Sequence, residues 1–472
     1  MERLYEIFRA STGVNTDSRT VSPGQLFFAL KGENFDGNAY ALKALEAGAK
    51  AAVVTEGPDW PADDARLIQV PDTLQTLKDL AAWHRNHVLG EGKHLPVIGL
   101  TGTNGKTTTK ELIREVLAAK YRVTATRGNF NNDVGVPLSL LSITPDTEIA
   151  VIEMGANHPD DIAKLVCVSQ PDFGLITNVG KAHLLGFGSL EGVMAAKGQL
   201  YDWISAHDGV AFVNADDPRL SEMARARSLS ILPYGLATDG AQLLPLTGEN
   251  PFVGIRLSDG TEVRTQLVGS YNAANVMAAL AVGAYFEVPL EDAVAAIAAY
   301  VPSNNRSQLV HTAAGRNVIV DAYNANPSSM AAALDNFDAI DAACKVVLLG
   351  SMGELGAESA AEHEKIVRRL AGSAYAVYLV GEAFAAAVEM PGQAGHDVLR
   401  VGHDGAAVPK EMPGQAGHDG FVIPSEAKES FRVFPDSAAL AAYLQVHPLP
   451  EGATVLLKGS RSQKMELVLP AL

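Results

Sequence analysis

Thr101 to Thr109 read T-G-T-N-G-K-T-T-T, between an apolar run (Leu95 to Leu100) and a run with helical spacing (Thr107 to Ala119). Glycines let a backbone turn its N–H groups toward an anion, and the helix N-terminus adds positive potential, so the segment reads as a phosphate cradle. Lys106 would reach the β- and γ-phosphates of a nucleotide and the Thr107 hydroxyl would bind Mg2+. Leu100 stands where the strict G-x-x-x-x-G-K-[ST] pattern has its first glycine, so the strand–turn–helix context carries the reading. A nucleotide-bound cation needs further ligands. Glu153 closes the apolar strand A-V-I-E, where a carboxylate emerges at the rim of a parallel sheet. His183 follows another strand in T-N-V-G-K-A-H, although Mg2+ prefers oxygen donors. On their own, Glu153 is a ligand or a loop cap and His183 is a structural residue.

These residues need a scaffold, and the periodicity supplies an α/β one. Short β-type runs (Gln25 to Leu30, Ala51 to Thr55, Leu67 to Val70) alternate with helical ones (Tyr40 to Ala47, Thr73 to His87) over the first ninety or so residues. Glu91 to His94 reads as a linker. Strands at Leu95 to Leu100, Ile149 to Glu153, Phe173 to Thr177 and Gly209 to Asn214, with helices between them, predict a doubly wound parallel sheet. Helices are expected over Ala273 to Tyr285 and Leu290 to Ala299, and Pro302 to Ser307 is a second linker. Strands at Asn317 to Asp321, Lys345 to Leu349, Ala376 to Val380 and Ala453 to Leu457 predict a third, Rossmann-like α/β domain. The expected divisions are 1–92, 93–303 and 304–472.

Composition bounds the function. With 472 residues the chain suits about three domains, and 47% hydrophobic residues support several cores. A net charge of −17 argues against a nucleic-acid surface, which needs a basic face. No apolar run reaches the ~20 residues of a membrane span, and the first residues lack the apolar segment of a secretion signal. Cys167 and Cys344 are far apart, so redox or metal work is not expected and a reduced cytoplasm fits. The nine residues E-M-P-G-Q-A-G-H-D at 389–397 recur identically at 411–419 and read as an inserted loop; His396, His403 and His418 lie in or between the copies with nothing to fix a metal geometry.

In combination these motifs resemble the Mur ligase family. G-T-N-G-K-T-T (Gly102 to Thr108) is shared by several of its members. G-N-F-N-N-D-V-G-V-P (Gly128 to Pro137), D-A-Y-N-A-N-P-S-S-M (Asp321 to Met330) and K-G-S-R-S-Q-K-M-E (Lys458 to Glu466) are more specific, and point to the branch that adds D-alanyl-D-alanine. The resemblance implies a three-domain α/β fold: an N-terminal uridine-nucleotide domain, a central P-loop ATPase domain and a C-terminal Rossmann-like domain. It implies ATP bound along Gly102, Thr103, Asn104, Gly105, Lys106, Thr107 and Thr108, with Asn272, Asn275 and Asp321 on the nucleotide. Thr107, Glu153, His183 and Lys197 resemble the Mg2+ ligands, Lys197 as its carbamate. Lys106, Lys197, His183 and Arg306 are then the catalytic set. Ser18 and Arg19 (uridine side), Asn129 and Asn132, and Asn324, Asn326, Lys458 and Arg461 (dipeptide side) would bind substrate.

The implied activity is ATP-dependent amide ligation in cytoplasmic peptidoglycan precursor synthesis. The substrates would be UDP-N-acetylmuramoyl-tripeptide and D-alanyl-D-alanine, joined through an acyl phosphate by a monomer. The alternatives are another ligase of the superfamily, either amino-acid-adding or a folyl-polyglutamate synthase, or a P-loop ATPase without ligation. Two positions depart from the family pattern: Leu185 where an acid is usual, and Ser351 where Asp is usual. The repeat has no family counterpart.

Overall fold

The computed structural model describes the chain apart from residues 33, 58–59, 62, 247–250, 303–304, 390–397, 402–406 and 409–430, with the backbone alone at 398–401 and 407–408. Both copies of the nine-residue repeat, except Glu389, and the three histidines named with it lie outside the described residues.

The chain packs as two compact units, the first comprising Met1–Val179, Met194–Thr238 and Met277–Ala296, the second Gly180–Val193, Asp239–Val276 and Ile297–Leu472. The first unit holds two parallel sheets. In the four-stranded one, Val14–Asn15, Leu26–Phe28, Ala51–Thr55 and Leu67–Val70 follow in chain order. Phe27, Ala29, Ala52 and Val54 point from it into a small core closed by Ala41, Ala44 and Leu45 of the Ala41–Glu46 helix.

The six-stranded sheet runs, from edge to edge, Ser230–Tyr234, Val210–Asn214, Phe173–Ile176, Val97–Thr101, Ile149–Glu153 and Val123–Ala125. Every pairing in it is parallel. Val97–Thr101 and Ile149–Glu153 are buried along their whole length, as continuous apolar runs covered on both faces should be. The register that pairs Leu100 with Glu153 and Thr101 with Ile176 brings three strand ends to one rim. The phosphate loop leaves the sheet at this rim.

The second unit carries an antiparallel sheet of Gln242–Leu243, Phe252–Arg256 and Glu262–Val268 and a larger eight-stranded sheet. The interior of the larger sheet is parallel: Asn317–Asp321, Thr454–Lys458, Lys345–Gly350, Ala376–Val380 and Phe431–Phe434 lie side by side. Strand alternation sorts its side chains. Ile319, Val347, Leu349, Val377, Leu379 and Leu456 enter one core; Val318, Val320, Val346, Leu348, Val380, Val455 and Leu457 enter the other. Antiparallel pairs close its two margins, Gln308–His311 on one side and Val398–Val401 with Ala407–Val408 on the other.

Candidate active site

The loop between the Val97–Thr101 strand and the Lys106–Ala118 helix is shaped by two glycines. Gly105 has φ +80° and precedes the helix; Gly102 has φ +152°. A Cβ on Gly102 would meet Thr177 Oγ1 at 1.9 Å, so the loop backbone sits hard against the end of the neighbouring strand. That neighbour holds the loop through a hydrogen-bond set. The Thr177 hydroxyl donates to the Asn104 carbonyl (2.6 Å), the Asn178 amide donates to the same carbonyl (3.0 Å), and the Asn104 N–H donates to Asn178 Oδ1 (3.0 Å). The Thr103 N–H donates to the Asn178 carbonyl (3.0 Å). Thr103 and Thr108 are themselves buried. Thr177 and Asn178 shape the loop although the sequence reading gave them no role there. The Lys106 ammonium donates to the carbonyls of Gly102 (2.8 Å) and Thr103 (3.2 Å), which places the cation over the loop.

Beside the loop lies Glu153, 1% exposed. Its Oε1 accepts from the Thr107 hydroxyl (3.2 Å) and from the Asn131 amide (2.8 Å). Its Oε2 is buried and accepts no hydrogen bond among the described residues, and the Lys110 ammonium stands 4.0 Å away. A buried carboxylate oxygen without a donor, next to a threonine hydroxyl, is a hard oxygen donor set that fits a divalent cation such as Mg2+.

Lys197 is 1% exposed, on the Leu190–Ala206 helix. A surface lysine is thereby ruled out. Burial, and secondarily the Lys106 charge, hold its amine well below the usual lysine range. Lys106, Thr107, Glu153 and Lys197 all belong to the first unit.

His183 belongs to the second unit. It adopts a left-handed backbone (φ +50°), as does Glu354 (φ +60°), whose carboxylate lies against His183 Nδ1. The Leu185 N–H donates to the Glu354 carbonyl (3.2 Å), while the Leu185 side chain is 74% exposed. An acid therefore faces the imidazole even though position 185 is leucine. Ser351 is buried and spans strand ends: its hydroxyl donates to the Val380 carbonyl (3.0 Å), and its carbonyl accepts from the Ser460 hydroxyl (2.5 Å).

In the same unit, strand register pairs Asp321 with Lys458. The Lys458 ammonium, 1% exposed, donates to Asp321 Oδ2 (2.5 Å) and to the Asn324 carbonyl (3.2 Å). Lys458 thus positions Asp321 and the Asn324 turn from beneath. The Arg306 guanidinium stacks on the Tyr323 ring at 3.6 Å and Arg461 approaches that ring at 5.5 Å, so Tyr323 gathers two cations.

The candidate asparagines divide by what they touch. Asn272 is 1% exposed and donates to the Val268 carbonyl (2.9 Å) and to Ser307 (3.2 Å), and the Asn275 amide donates to Asn272 (2.9 Å). Asn326 caps the Pro327–Ala339 helix with a capping box. Asn132 accepts from the Gly135 N–H (2.8 Å) at the start of the Gly135–Leu141 helix, and Asn324 accepts from the Ala325 N–H (2.9 Å). Asn129 is exposed. Among the candidate uridine-side residues, Ser18 is half-buried, and Arg19 is exposed and pairs with Asp17 (2.7 Å).

Three family models match successive segments of the chain. Residues 11–85 match the model for the Mur ligase family catalytic domain, 100–283 the Mur ligase middle domain and 305–461 the Mur ligase glutamate ligase domain. The UDP-N-acetylmuramoyl-tripeptide--D-alanyl-D-alanine ligase of Bacillus subtilis (strain 168) is 38% identical over 348 residues, 73% of this chain and 74% of that one. Its counterpart from Escherichia coli (strain K12) is 34% identical over 467 residues, covering 97% and 93%. Among solved structures, MurF from Acinetobacter baumannii superposes with a TM-score of 0.80 at 29% identity, covering 99% and 97% of the two chains. The MurF ligase of Thermotoga maritima in complex with ADP does so at 0.77 and 25%, covering 98% and 97%. The chain belongs to the Mur ligase family, with its three-domain α/β fold. It is an ATP-dependent ligase.

Proposed function

We propose that the chain joins D-alanyl-D-alanine to UDP-N-acetylmuramoyl-tripeptide in the cytoplasmic synthesis of peptidoglycan precursors. The observation that carries this reading is the buried Thr107–Glu153 pair directly behind the Lys106 phosphate loop, in a chain 34% identical over nearly its whole length to a ligase of that name. The chain divides at 92/93 and 303/304 into uridine-nucleotide, ATP-binding and dipeptide-side domains. The tripeptide carboxylate oxygen attacks the γ-phosphorus and ADP departs, leaving an acyl phosphate. The dipeptide amine then attacks the acyl carbon, loses a proton, and expels phosphate. Lys106 and the loop N–H groups hold the phosphates and neutralise charge as it spreads over the transferring group. Thr107, Glu153, His183 and carbamylated Lys197 would hold Mg2+, which supplies further charge neutralisation when bound. Asn272, Asn275 and Asp321 serve the nucleotide; Arg306 serves the phosphates. Asn129, Asn132, Asn324, Asn326 and Arg461 frame the substrates, with Ser18 and Arg19 toward the uridine. The test is product mass. ATP, Mg2+, UDP-N-acetylmuramoyl-tripeptide and D-alanyl-D-alanine should yield the UDP-linked pentapeptide with ADP; recovery of unligated tripeptide alongside ADP would leave only an ATPase.

Lys197 gives a second test. A buried amine beside Lys106 has reason to be uncharged, and an uncharged amine adds CO2. The carbamate turns that neutral nitrogen into an anionic group whose two oxygens are the hard donors Mg2+ prefers. Lys197→Ala is expected to lower turnover about tenfold, roughly 1.4 kcal/mol in the barrier. Added acetate or formate should restore part of it by occupying the vacated space, and should not rescue Lys197→Arg, whose guanidinium stays charged and fills the site. Full activity in Lys197→Ala would remove the carbamate from the account.

A further inference from the structure

Lys110 lies one helical turn beyond Lys106 and is fully buried, yet none of the chemistry above uses it. A buried ammonium is costly unless it is held on several sides. Here it donates to the Thr126 carbonyl (2.6 Å), pairs with Glu111 (2.8 Å) and faces Glu153 Oε2 at 4.0 Å. Asn131 stands at the other oxygen of the same carboxylate, donating to Oε1 at 2.8 Å. Its own backbone is tied to the strand that bears Glu153: the Gly155 N–H donates to the Asn131 carbonyl (2.7 Å). A Cβ on Gly155 would meet the Asn131 side chain at 2.9 Å, so the asparagine fits closely against that turn. The Thr126 hydroxyl accepts from the Glu153 N–H (3.0 Å), so the residue whose carbonyl anchors Lys110 also anchors the Glu153 backbone.

We propose that Lys110 and Asn131 are positioning residues that grip the Glu153 carboxylate from its two oxygens and fix the direction in which it presents a donor to the divalent cation. Without the Asn131 amide, Oε1 keeps only the longer Thr107 contact (3.2 Å), and the carboxylate turns more readily about its terminal bond. Without the Lys110 charge it loses the counter-cation that keeps a buried anion in place. This rests on the reading of Glu153 as a magnesium ligand, and the experiment separates the two.

The measurements are Mn2+ binding to the ADP-bound chain by calorimetry, which reads metal affinity without turnover and should weaken in Asn131→Ala and Lys110→Met, and ATP-dependent phosphate release against magnesium concentration, with ATP and both co-substrates saturating, for the parent chain and for Asn131→Ala, Lys110→Met, Lys110→Arg and Glu153→Gln. Asn131→Ala and Lys110→Met are expected to raise the magnesium concentration for half-maximal turnover about tenfold or more, as outer partners of metal ligands do. The KM values for the tripeptide and dipeptide substrates should stay within about twofold, a split that general loosening of the fold would not give. Lys110→Arg retains a cation and should recover part of the loss. Asn131 lies on a loop, so that variant tests the proposal even if Lys110→Met does not fold. If Glu153→Gln raises the magnesium requirement while folded Asn131→Ala stays within twofold of the parent, the grip is absent and the proposal fails. An unchanged requirement in Glu153→Gln overturns the metal-ligand reading and the proposal with it.

Discussion

Replacing Lys106 by alanine is expected to cut ligation roughly a thousandfold, about 4 kcal/mol in the barrier, while the chain stays folded. The ammonium donates to the Gly102 and Thr103 carbonyls of its own loop, neutral acceptors that its loss does not leave charged. What disappears is a fixed positive charge where negative charge develops during phosphoryl transfer, and such pre-positioned charge is the main catalytic resource in this chemistry. Circular dichroism checks the fold and phosphate release checks turnover. A folded variant within about tenfold of the parent would separate the loop from the chemistry.

Gly102→Ala is expected to be nearly as damaging, by about a hundredfold or more, although it removes no functional group. The new methyl would begin 1.9 Å from Thr177 Oγ1 and 3.1 Å from the Thr177 backbone nitrogen, on a backbone at φ +152° that side chains rarely adopt. Either the loop lifts or the strand end gives way. Both displace the Asn104 carbonyl from Thr177 and Asn178, and with it the loop that leads into the N-terminus of the Lys106–Ala118 helix. The loss should appear chiefly as weaker nucleotide binding, measured by calorimetry with ADP. A paired Gly102→Ala/Thr177→Ser variant removes a methyl yet keeps the clashing oxygen, and should remain impaired. Wild-type ADP affinity in Gly102→Ala would show that the loop tolerates displacement.

The sequence made much of the parallel framework legible because buried parallel strands are continuous apolar runs. Ile149 to Glu153 and Asn317 to Asp321 coincide with the observed strands, as Thr73 to His87 does with a helix. The antiparallel Gln242–Leu243, Phe252–Arg256, Glu262–Val268 sheet was not legible: the first strand is two residues long, a glycine and an arginine interrupt the second, and the third alternates polar and apolar residues instead of forming a continuous apolar run.

The phosphate loop could be read locally because its glycines, lysine and threonines are consecutive. Lys110 and Asn131 could not. A lysine within a helix ordinarily faces water, and only the packing of its helix against Thr126 and Glu153 shows this one buried. Asn131 sits inside a motif whose neighbours, Asn129 and Asn132, looked equally capable; the loop path alone decides which amide reaches the carboxylate. The Asp321–Lys458 pair is likewise a product of strand register between segments remote in sequence. The acid beside His183 arrives from Glu354, which reading forward from His183 to Leu185 could not have found.

Ligation, and the identity of both partners, is tested most directly by ATP-dependent phosphate release over a matrix of UDP-N-acetylmuramoyl-peptides and amine acceptors. Sustained release is expected only where UDP-N-acetylmuramoyl-tripeptide and D-alanyl-D-alanine are present together, with little from either alone or from glutamate, lysine or diaminopimelate as acceptor. Release at the same rate with D-alanyl-D-alanine omitted, or faster release with a single amino acid on a shorter UDP-linked peptide, would contradict it.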